Sequence, residues 1–181
     1  DRELTDVFKV QDEIAVAVVD ALKVKLLPDQ HLNNPYRSAN TEAYNQYLLG
    51  REFYNRQTPA DLRRSRDAFE RAIALDPDYG AAHAGLAAVA YFLADMAGDR
   101  ASKQQALAVA DQAVAKAPQL AEAYAARGTT RLSFFRDWKG ARADYEQALQ
   151  LNPASSRAQI GYYRLLMALG RHADAVAAGR A

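Results

Sequence analysis

Three prolines in near-identical settings constrain the fold of this chain more than any other feature. They close the segments Ala74–Pro77, Lys116–Pro118 and Leu151–Pro153, and they lie 41 and 35 residues apart. A proline cannot continue a helix as an internal residue, but its ring fits the first turn of the next helix. Each proline therefore predicts a boundary between two helices, and the recurrence indicates an internal repeat.

A matching helical face precedes each proline. It starts with a small residue, which is followed four positions later by an aromatic residue or alanine and, after three more positions, by alanine. The three copies are Ser65, Phe69 and Ala72; Ala106, Ala110 and Ala113; and Ala141, Tyr145 and Ala148. These intervals follow the helical period of about 3.6 residues. A second helical stretch upstream of each copy carries a large-then-small signature at Leu49-Gly50, Leu86-Ala87 and Arg127-Gly128.

This pattern resembles the tetratricopeptide repeat, in which two antiparallel helices occupy about 34 residues. The resemblance covers residues 41–181 and implies an all-α fold, a right-handed superhelical α-solenoid of helix-turn-helix units. Close packing also fits the composition, since the chain has 39 alanines but only nine glycines and six prolines. The expected units are 41–79, 80–120, 121–155 and an incomplete 156–181.

The expected units depart from a regular repeat in three places. The first carries a three-residue insertion between its helices, and the second is about two turns longer, around Phe92 to Gln104. The third has Arg127 where a large apolar residue is usual. Local signals predict helix starts at the caps Thr58, Asp78 and Asp99 and helix ends at Gly98 and Gly170.

The first 27 residues differ from the array. Residues 6–26 predict one long helix with an apolar stripe, an extra N-terminal helix, and residues 28–40 form a polar, proline-bounded linker. The opening segment, residues 1–14, resembles the end of a TolB-like domain, which in bacterial multidomain regulators precedes tetratricopeptide arrays. That resemblance implies a fragment of a larger signalling or transcriptional protein. An ordinary capping helix folded onto the first repeat is the alternative.

Composition and motifs argue against catalysis and nucleic-acid binding. Lys and Arg total 23 and Asp and Glu total 22, whereas a nucleic-acid-binding domain is normally strongly basic. The absence of cysteine excludes disulfides, Cys-ligated zinc and thiol nucleophiles. The three histidines have no metal-ligand spacing, and no phosphate-binding loop or nucleophile elbow is present. We therefore expect no enzyme activity, no metal or cofactor, and no membrane insertion by this segment.

The resemblance also implies a concave groove lined by the first helix of each unit. Tyrosines suit such a surface because they present a broad ring and a hydroxyl at low entropic cost. The groove residues carried over from the family are Tyr44, Tyr47, Arg51, Tyr54, Asn55, Ala84, Ala88, Tyr91, Phe92, Glu122, Ala125, Thr129, Ser133, Arg157, Ile160 and Arg164. For each tyrosine, burial inside the array is the alternative to exposure in the groove.

One family function is unlikely on sequence grounds. Members that grip the terminal carboxylate of chaperones use Lys and Asn in the first unit, Asn in the second, and Lys and Arg in the third. The matching positions here are Tyr47, Arg51, Gly85, Glu122 and Ala126. Only one of them keeps a positive charge, so binding to heat-shock chaperone tails is not expected.

The sequence leaves two functions open. The first is a non-catalytic protein-protein interaction module that binds a peptide or helix in the groove, with Arg51 and Arg164 selecting acidic partners. The second is a structural array that self-associates, as a homodimer through the N-terminal helix or the open C-terminal repeat. In that repeat, Tyr162, Leu165 and Leu169 are expected to be partly exposed. We expect a cytoplasmic location, with the periplasmic part of a single-pass membrane protein as the alternative.

Overall fold

The computed structural model describes residues 34–178. The chain divides into two compact units, residues 1–34 and 35–181, and the described helices belong to the second. The expected helix of residues 6–26, the segment that resembles a TolB-like domain and residues 28–33 of the expected linker lie outside the described residues.

Residues 34–178 fold into α-helices joined by short turns, with no strand in that range. Consecutive helices pack in pairs, and the first helix of each pair also contacts the first helix of the next. This confirms the predicted all-α solenoid. The helices are α1 (Thr41–Arg56), α2 (Pro59–Leu75), α3 (Gly80–Ala97), α4 (Arg100–Lys116), α5 (Ala121–Thr130), α6 (Trp138–Leu151), α7 (Ser156–Ala168) and α8 (His172–Ala178).

The turns between pairs share one geometry. Each has four residues, with the recurrent proline second: residues 76–79, 117–120 and 152–155. In each turn the first residue donates its N–H to a carbonyl in the preceding helix at 2.8–2.9 Å, and the fourth donates to the first at 3.0–3.1 Å. The proline thus stands where its missing N–H removes no helical hydrogen bond.

Two large rings fix the spacing between units, and each is clasped by two glycines. Phe69 on α2 is 1% exposed and lies between Gly50 on α1 and Gly85 on α3. A Cβ added at Gly50 would lie 2.7 Å from a Phe69 ring atom, and one at Gly85 would lie 2.6 Å away. Tyr145 on α6 is clasped in the same way by Gly128 and Gly161. These glycines are required by close approach, since no side chain fits beside the ring.

The second unit reaches the same packing with three alanines. Ala110 occupies the position of the ring, and Ala87 and Ala126 occupy the positions of the two glycines. Each is at most 2% exposed. All three belong to one buried cluster that continues into the first unit. One large side chain between two glycines is thus replaced by three methyl groups, which have a smaller total volume but are distributed over all three positions.

An ion network crosses from the second unit into the third around Arg127. Its guanidinium donates to Asp144, whose side chain is only 3% exposed, with Nη2–Oδ1 at 2.6 Å, and to Asp111 on α4 at 3.2 Å. Arg131 also donates to Asp144, at 2.9 Å. The arginine that breaks the sequence pattern therefore joins α5 to α6 through the buried Asp144 and α5 to α4 through the more exposed Asp111.

A short π-helix, Arg131–Phe135, follows α5 directly. The third repeat has 35 residues between prolines, one more than the common repeat length. A π-helical turn is wider by one residue, so it absorbs the insertion without shifting α6. It also places Phe134 against Tyr91 of α3, with ring centroids 5.0 Å apart and nearly parallel.

The helix ends follow the local signals, with one exception. Thr58 and Asp99 accept hydrogen bonds from the first turns of α2 and α4, and Gly98 and Gly170 have positive φ at helix ends. The prediction for Asp78 is wrong. Tyr79 caps α3 without a side-chain bond, and Asp78 instead pairs with Lys116 at 2.6 Å.

The expected exposure of the last unit is wrong for Leu165. This side chain is fully buried, because it packs with Tyr145 and Ala141 of α6. Tyr162 is half-buried and Leu169 is 42% exposed, as expected. The side of α7 that packs on α6 is covered, so its exposed apolar residues, such as Ile160 and Leu169, lie on its other sides and at its end.

α3 is long and apolar enough to cross a membrane by length and composition alone. It is also the central helix of the array, packed against α2, α4 and α5. The buried cluster includes much of its length. Burial among helices accounts for its apolar composition.

Candidate functional site: the groove of the first helices

The surface formed by α1, α3, α5 and α7, here called the groove, contains two adjoining cavities. The first has a volume of about 530 Å³ and is lined by residues of all four units. Its polar lining consists of Tyr36, Tyr47, Arg51, Tyr54, Asn55, Glu122, Asn152, Ser155, Ser156 and Arg157. It is a mixed surface of tyrosine rings, two arginines and one carboxylate.

The second cavity, of about 370 Å³, is more apolar and contains no acidic residue. It is lined by Tyr54, Ala88, Tyr91, Phe92, Ala126, Thr129, Arg157, Ile160, Gly161 and Arg164. Ile160 is 60% exposed although it lies inside the groove. Small side chains on α3 and α5 leave the space, and arginines of α7 stand at its edge.

A contact between the first and fourth units separates the two cavities. Arg157 Nη2 donates a hydrogen bond to the Tyr54 hydroxyl at 2.7 Å, and its guanidinium lies 5.0 Å from the centroid of the Tyr54 ring. Tyr54, Ala88 and Arg157 line both cavities. The groove is therefore narrow at this point, which the sequence, with 103 residues between the partners, did not reveal.

Three arginines and one glutamate carry the charges of the groove, and they differ in the partners that they have. Within residues 34–178, Arg51, Arg157 and Arg164 form no ion pair. Glu122 accepts a hydrogen bond from the Tyr36 hydroxyl at 2.8 Å, while its second oxygen is buried and unpartnered. Burial and this bond to Glu122 raise the pKa of Tyr36 well above its ordinary value. The groove thus carries excess positive charge.

The structure brings together most of the predicted groove residues. Those that line the two cavities are Tyr47, Arg51, Tyr54, Asn55, Ala84, Ala88, Tyr91, Phe92, Glu122, Thr129, Arg157, Ile160 and Arg164. Tyr44, Ala125 and Ser133 lie outside the cavities. The Tyr44 ring instead stacks on Tyr47 with centroids 6.4 Å apart, and Ala125 is buried between units. Whether the lining residues bind a partner is a separate question.

Tyr47 serves mainly as a core residue. It is 5% exposed and packs on Phe69 and Tyr79, with centroids 6.0 and 5.2 Å apart. Burial raises the pKa of its hydroxyl, which the Arg51 guanidinium partly offsets. Its exposed edge contributes to the first cavity, but its removal would disturb the array.

Sequence reasoning missed Tyr36, which lies in the expected linker but closes the first cavity through Glu122. Tyr79, a turn residue, donates its hydroxyl to the Tyr36 carbonyl at 2.7 Å and holds this segment in place. A tyrosine in a polar linker beside a proline was the available signal. No cluster of metal-ligating side chains occurs in the described range, and His83 is buried against the Pro77 carbonyl.

Comparison with solved structures shows the fold. A thermophilic tetratricopeptide-repeat protein of Thermus thermophilus is 20% identical, with a TM-score of 0.65 over 96% of this chain and 83% of that one. The second such domain of human RPAP3, solved in complex with an HSP70 peptide, is 21% identical, with a TM-score of 0.51 over 68% of this chain and 97% of that one.

Sequence comparison gives a partial match. Over 91 residues, which is half of its length, this chain is 33% identical to a protein of Rhizobium meliloti (strain 1021) provisionally named adenylate cyclase 3. The matched stretch spans 16% of that relative. Residues 136–178 match the model of the tetratricopeptide repeat family. The family match covers residues 136–178, and for the rest of the described chain the likeness to tetratricopeptide-repeat structures is one of fold.

Proposed function

We propose that the chain is a non-catalytic protein-interaction module whose groove holds a peptide or helix of a partner protein. The groove carries the proposal, because it combines open apolar surface with three arginines that have no ion-pair partner in the described range. Repeats of this kind use such surfaces for binding. The RPAP3 domain in complex with an HSP70 peptide is a neighbour in fold.

The groove chemistry favours acidic partners other than chaperone tails. Gly85 faces the Phe69 ring, so the expected asparagine has no room, and Glu122 replaces a lysine at the third-unit position. Arg51 and Arg164 are exposed and available for a carboxylate. The Rhizobium relative favours a place in a larger bacterial signalling or regulatory protein.

Binding can be tested with an array of random-sequence peptides probed with the labelled 181-residue chain. Arg51→Glu should weaken capture of acidic peptides by about tenfold or more, because it reverses the charge at the cavity wall. Arg63→Glu makes the same charge change on an exposed site outside the groove and should have no effect. Equal losses in both variants, or no bound peptide, would contradict the proposal.

A structural, self-associating array is the second candidate. Met167, Leu169 and Val176 are 40–50% exposed at the α7–α8 end, and such residues favour contact with another helical surface. Light scattering over a concentration series tests this. A monomer at all concentrations would remove this candidate, whereas a dimer that dissociates on Val176→Glu would support it.

A further inference from the structure

The exposed face of α7 carries a basic, apolar, basic stripe. Arg157, Ile160 and Arg164 are spaced three and four residues apart, so they lie along one side of the helix. At a rise of about 1.5 Å per residue, the two arginines are about 10 Å apart along the axis. All three line the second cavity, and Ile160 is 60% exposed there.

The stripe has no complement within residues 34–178. None of the side chains of the second cavity is acidic, and neither arginine forms an ion pair in the described range. At about 10 Å in water the two charges repel each other by less than about 1 kcal/mol, and together they attract opposite charge from outside. The matching ligand therefore presents an apolar side chain flanked by carboxylates.

The contact between Tyr54 and Arg157 limits what can enter. The Arg157 side chain bridges the groove to the Tyr54 hydroxyl beside a cavity of about 370 Å³, which leaves too little room for a helix about 10 Å wide and favours an extended segment. Alternate side chains of an extended segment share one face, so residues i, i+2 and i+4 place three side chains on that face over about 13 Å. The two arginines lie about 10 Å apart along α7, and their long side chains span the remaining distance of about 3 Å.

On the basis of the proposed function, we infer that the second cavity binds an extended segment with two acidic side chains four residues apart and a bulky apolar side chain midway between them, all on one face. The apolar side chain packs on Ile160 against Ala88 and Phe92. One carboxylate pairs with Arg164. The other replaces the Tyr54 hydroxyl as the hydrogen-bond acceptor of Arg157. The exchange is favourable because a carboxylate accepts a stronger hydrogen bond from guanidinium than a neutral phenol does.

The carboxylates in this proposal belong to side chains, not to a chain terminus. Two charges must be met at two places, whereas a terminus supplies one compact group. Capture of a terminus also relies on neighbouring amide donors, and the second cavity has no amide side chain in its lining. Peptides with amidated ends should therefore bind as well as peptides with free ends.

The test uses a positional library of acetylated, amidated decapeptides and the full 181-residue chain. We expect selection of Asp or Glu at two positions four apart, with Leu, Ile or Phe at the position midway between them. The best peptide, labelled with fluorescein, is then titrated by anisotropy. Its Asp→Asn forms should bind about tenfold more weakly, as should the original peptide with the Arg164→Ala variant.

Tyr54→Phe separates exchange from a merely structural contact. The variant keeps the ring but frees Arg157, so it should bind the peptide about three- to tenfold more tightly, with unchanged helicity by circular dichroism. The double variant Arg157→Glu and Arg164→Glu should instead select Lys or Arg at the two positions. Unchanged or weaker binding by Tyr54→Phe, or an unchanged charge preference in the double variant, would overturn the inference.

Failure of this inference differs from failure of the proposed function. Peptides that bind without acidic residues, or only with a free terminus, but still respond to Arg51→Glu would overturn the motif and leave groove binding intact. A library with no bound peptide would overturn both. Arg63→Glu, outside the groove, serves as the matched control for all titrations.

Discussion

The first and second units pack the same helices with different side chains. Around Phe69, one ring fills the space left by Gly50 and Gly85, whereas Ala110 meets Ala87 and Ala126 at the same positions. The third unit returns to the ring and two glycines. The difference teaches that the stack does not need an aromatic residue at this position, because three small side chains can take the place of one ring and two glycines.

The alanine version buries less apolar surface, and its junction is reinforced differently. The ion pairs of Arg127 with Asp111 and Asp144 span α4, α5 and α6 at the side of the alanine cluster. The ring-based junction between the first two units has no counterpart of this network in the described residues. Helices α3 and α4, with 18 and 17 residues, add further contact area within the second unit.

The largest expected effect comes from Phe69→Ala. Removing a fully buried ring beside two glycines leaves a cavity that nothing nearby can fill, so the free energy of unfolding should fall by about 3–5 kcal/mol. Urea denaturation followed by circular dichroism measures this. The triple variant with Gly50→Ala and Gly85→Ala rebuilds the alanine version and should recover at least half of the loss. If the triple variant is less stable than Phe69→Ala, volume exchange is wrong.

Asp144→Ala should cost about 3 kcal/mol, because Arg127 and Arg131 would lose the buried carboxylate that they share. The same denaturation experiment applies. Asp111→Ala removes the more exposed partner of Arg127 and should cost less than about 1 kcal/mol. Similar losses in the two variants would show that burial of Asp144 does not govern the network.

The sequence predicted the pairs, the proline turns and most groove residues, because these depend on small residues at fixed intervals. The sequence also contains a second regular interval: Gly85, Ala126 and Gly161 each stand sixteen positions after the central residue of their unit, which is Phe69, Ala110 or Tyr145. The bond between Tyr54 and Arg157 could not be predicted. It depends on the accumulated curvature of four units, to which every helix contact contributes.

Tyr145→Phe tests the ring-based junction at alkaline pH. Burial raises the pKa of Tyr145 from 10 to about 12, so the folded state holds the proton more tightly than the unfolded state. Its contribution is therefore complete below pH 10 and is lost as the pH rises toward 12, by about 2 kcal/mol. Phenylalanine does not titrate, so the stability difference between the two proteins should shift in favour of the variant over this range. Parallel curves of unfolding free energy against pH would contradict the assignment.

The smallest effect is expected for Arg142→Ala. Arg142 and Glu146 form an exposed pair one turn apart on α6, the helix that carries the clasped Tyr145. Such pairs contribute less than about 0.5 kcal/mol. A larger loss in thermal denaturation would mean that solvent-facing charges, not the ring and its glycines, hold the third unit together.

The turns at residues 76–79, 117–120 and 152–155 lie along one edge of the array. They have the same length and the same backbone hydrogen bonds, so this edge is regular. The irregular features, such as the longer α3 and the π-helix, lie at the opposite edge, where the two helices of each pair are joined. The departures from a regular repeat thus lie on one side of the stack, where they leave the register of later units unchanged. The same side is the natural place to graft a reporter or a new loop.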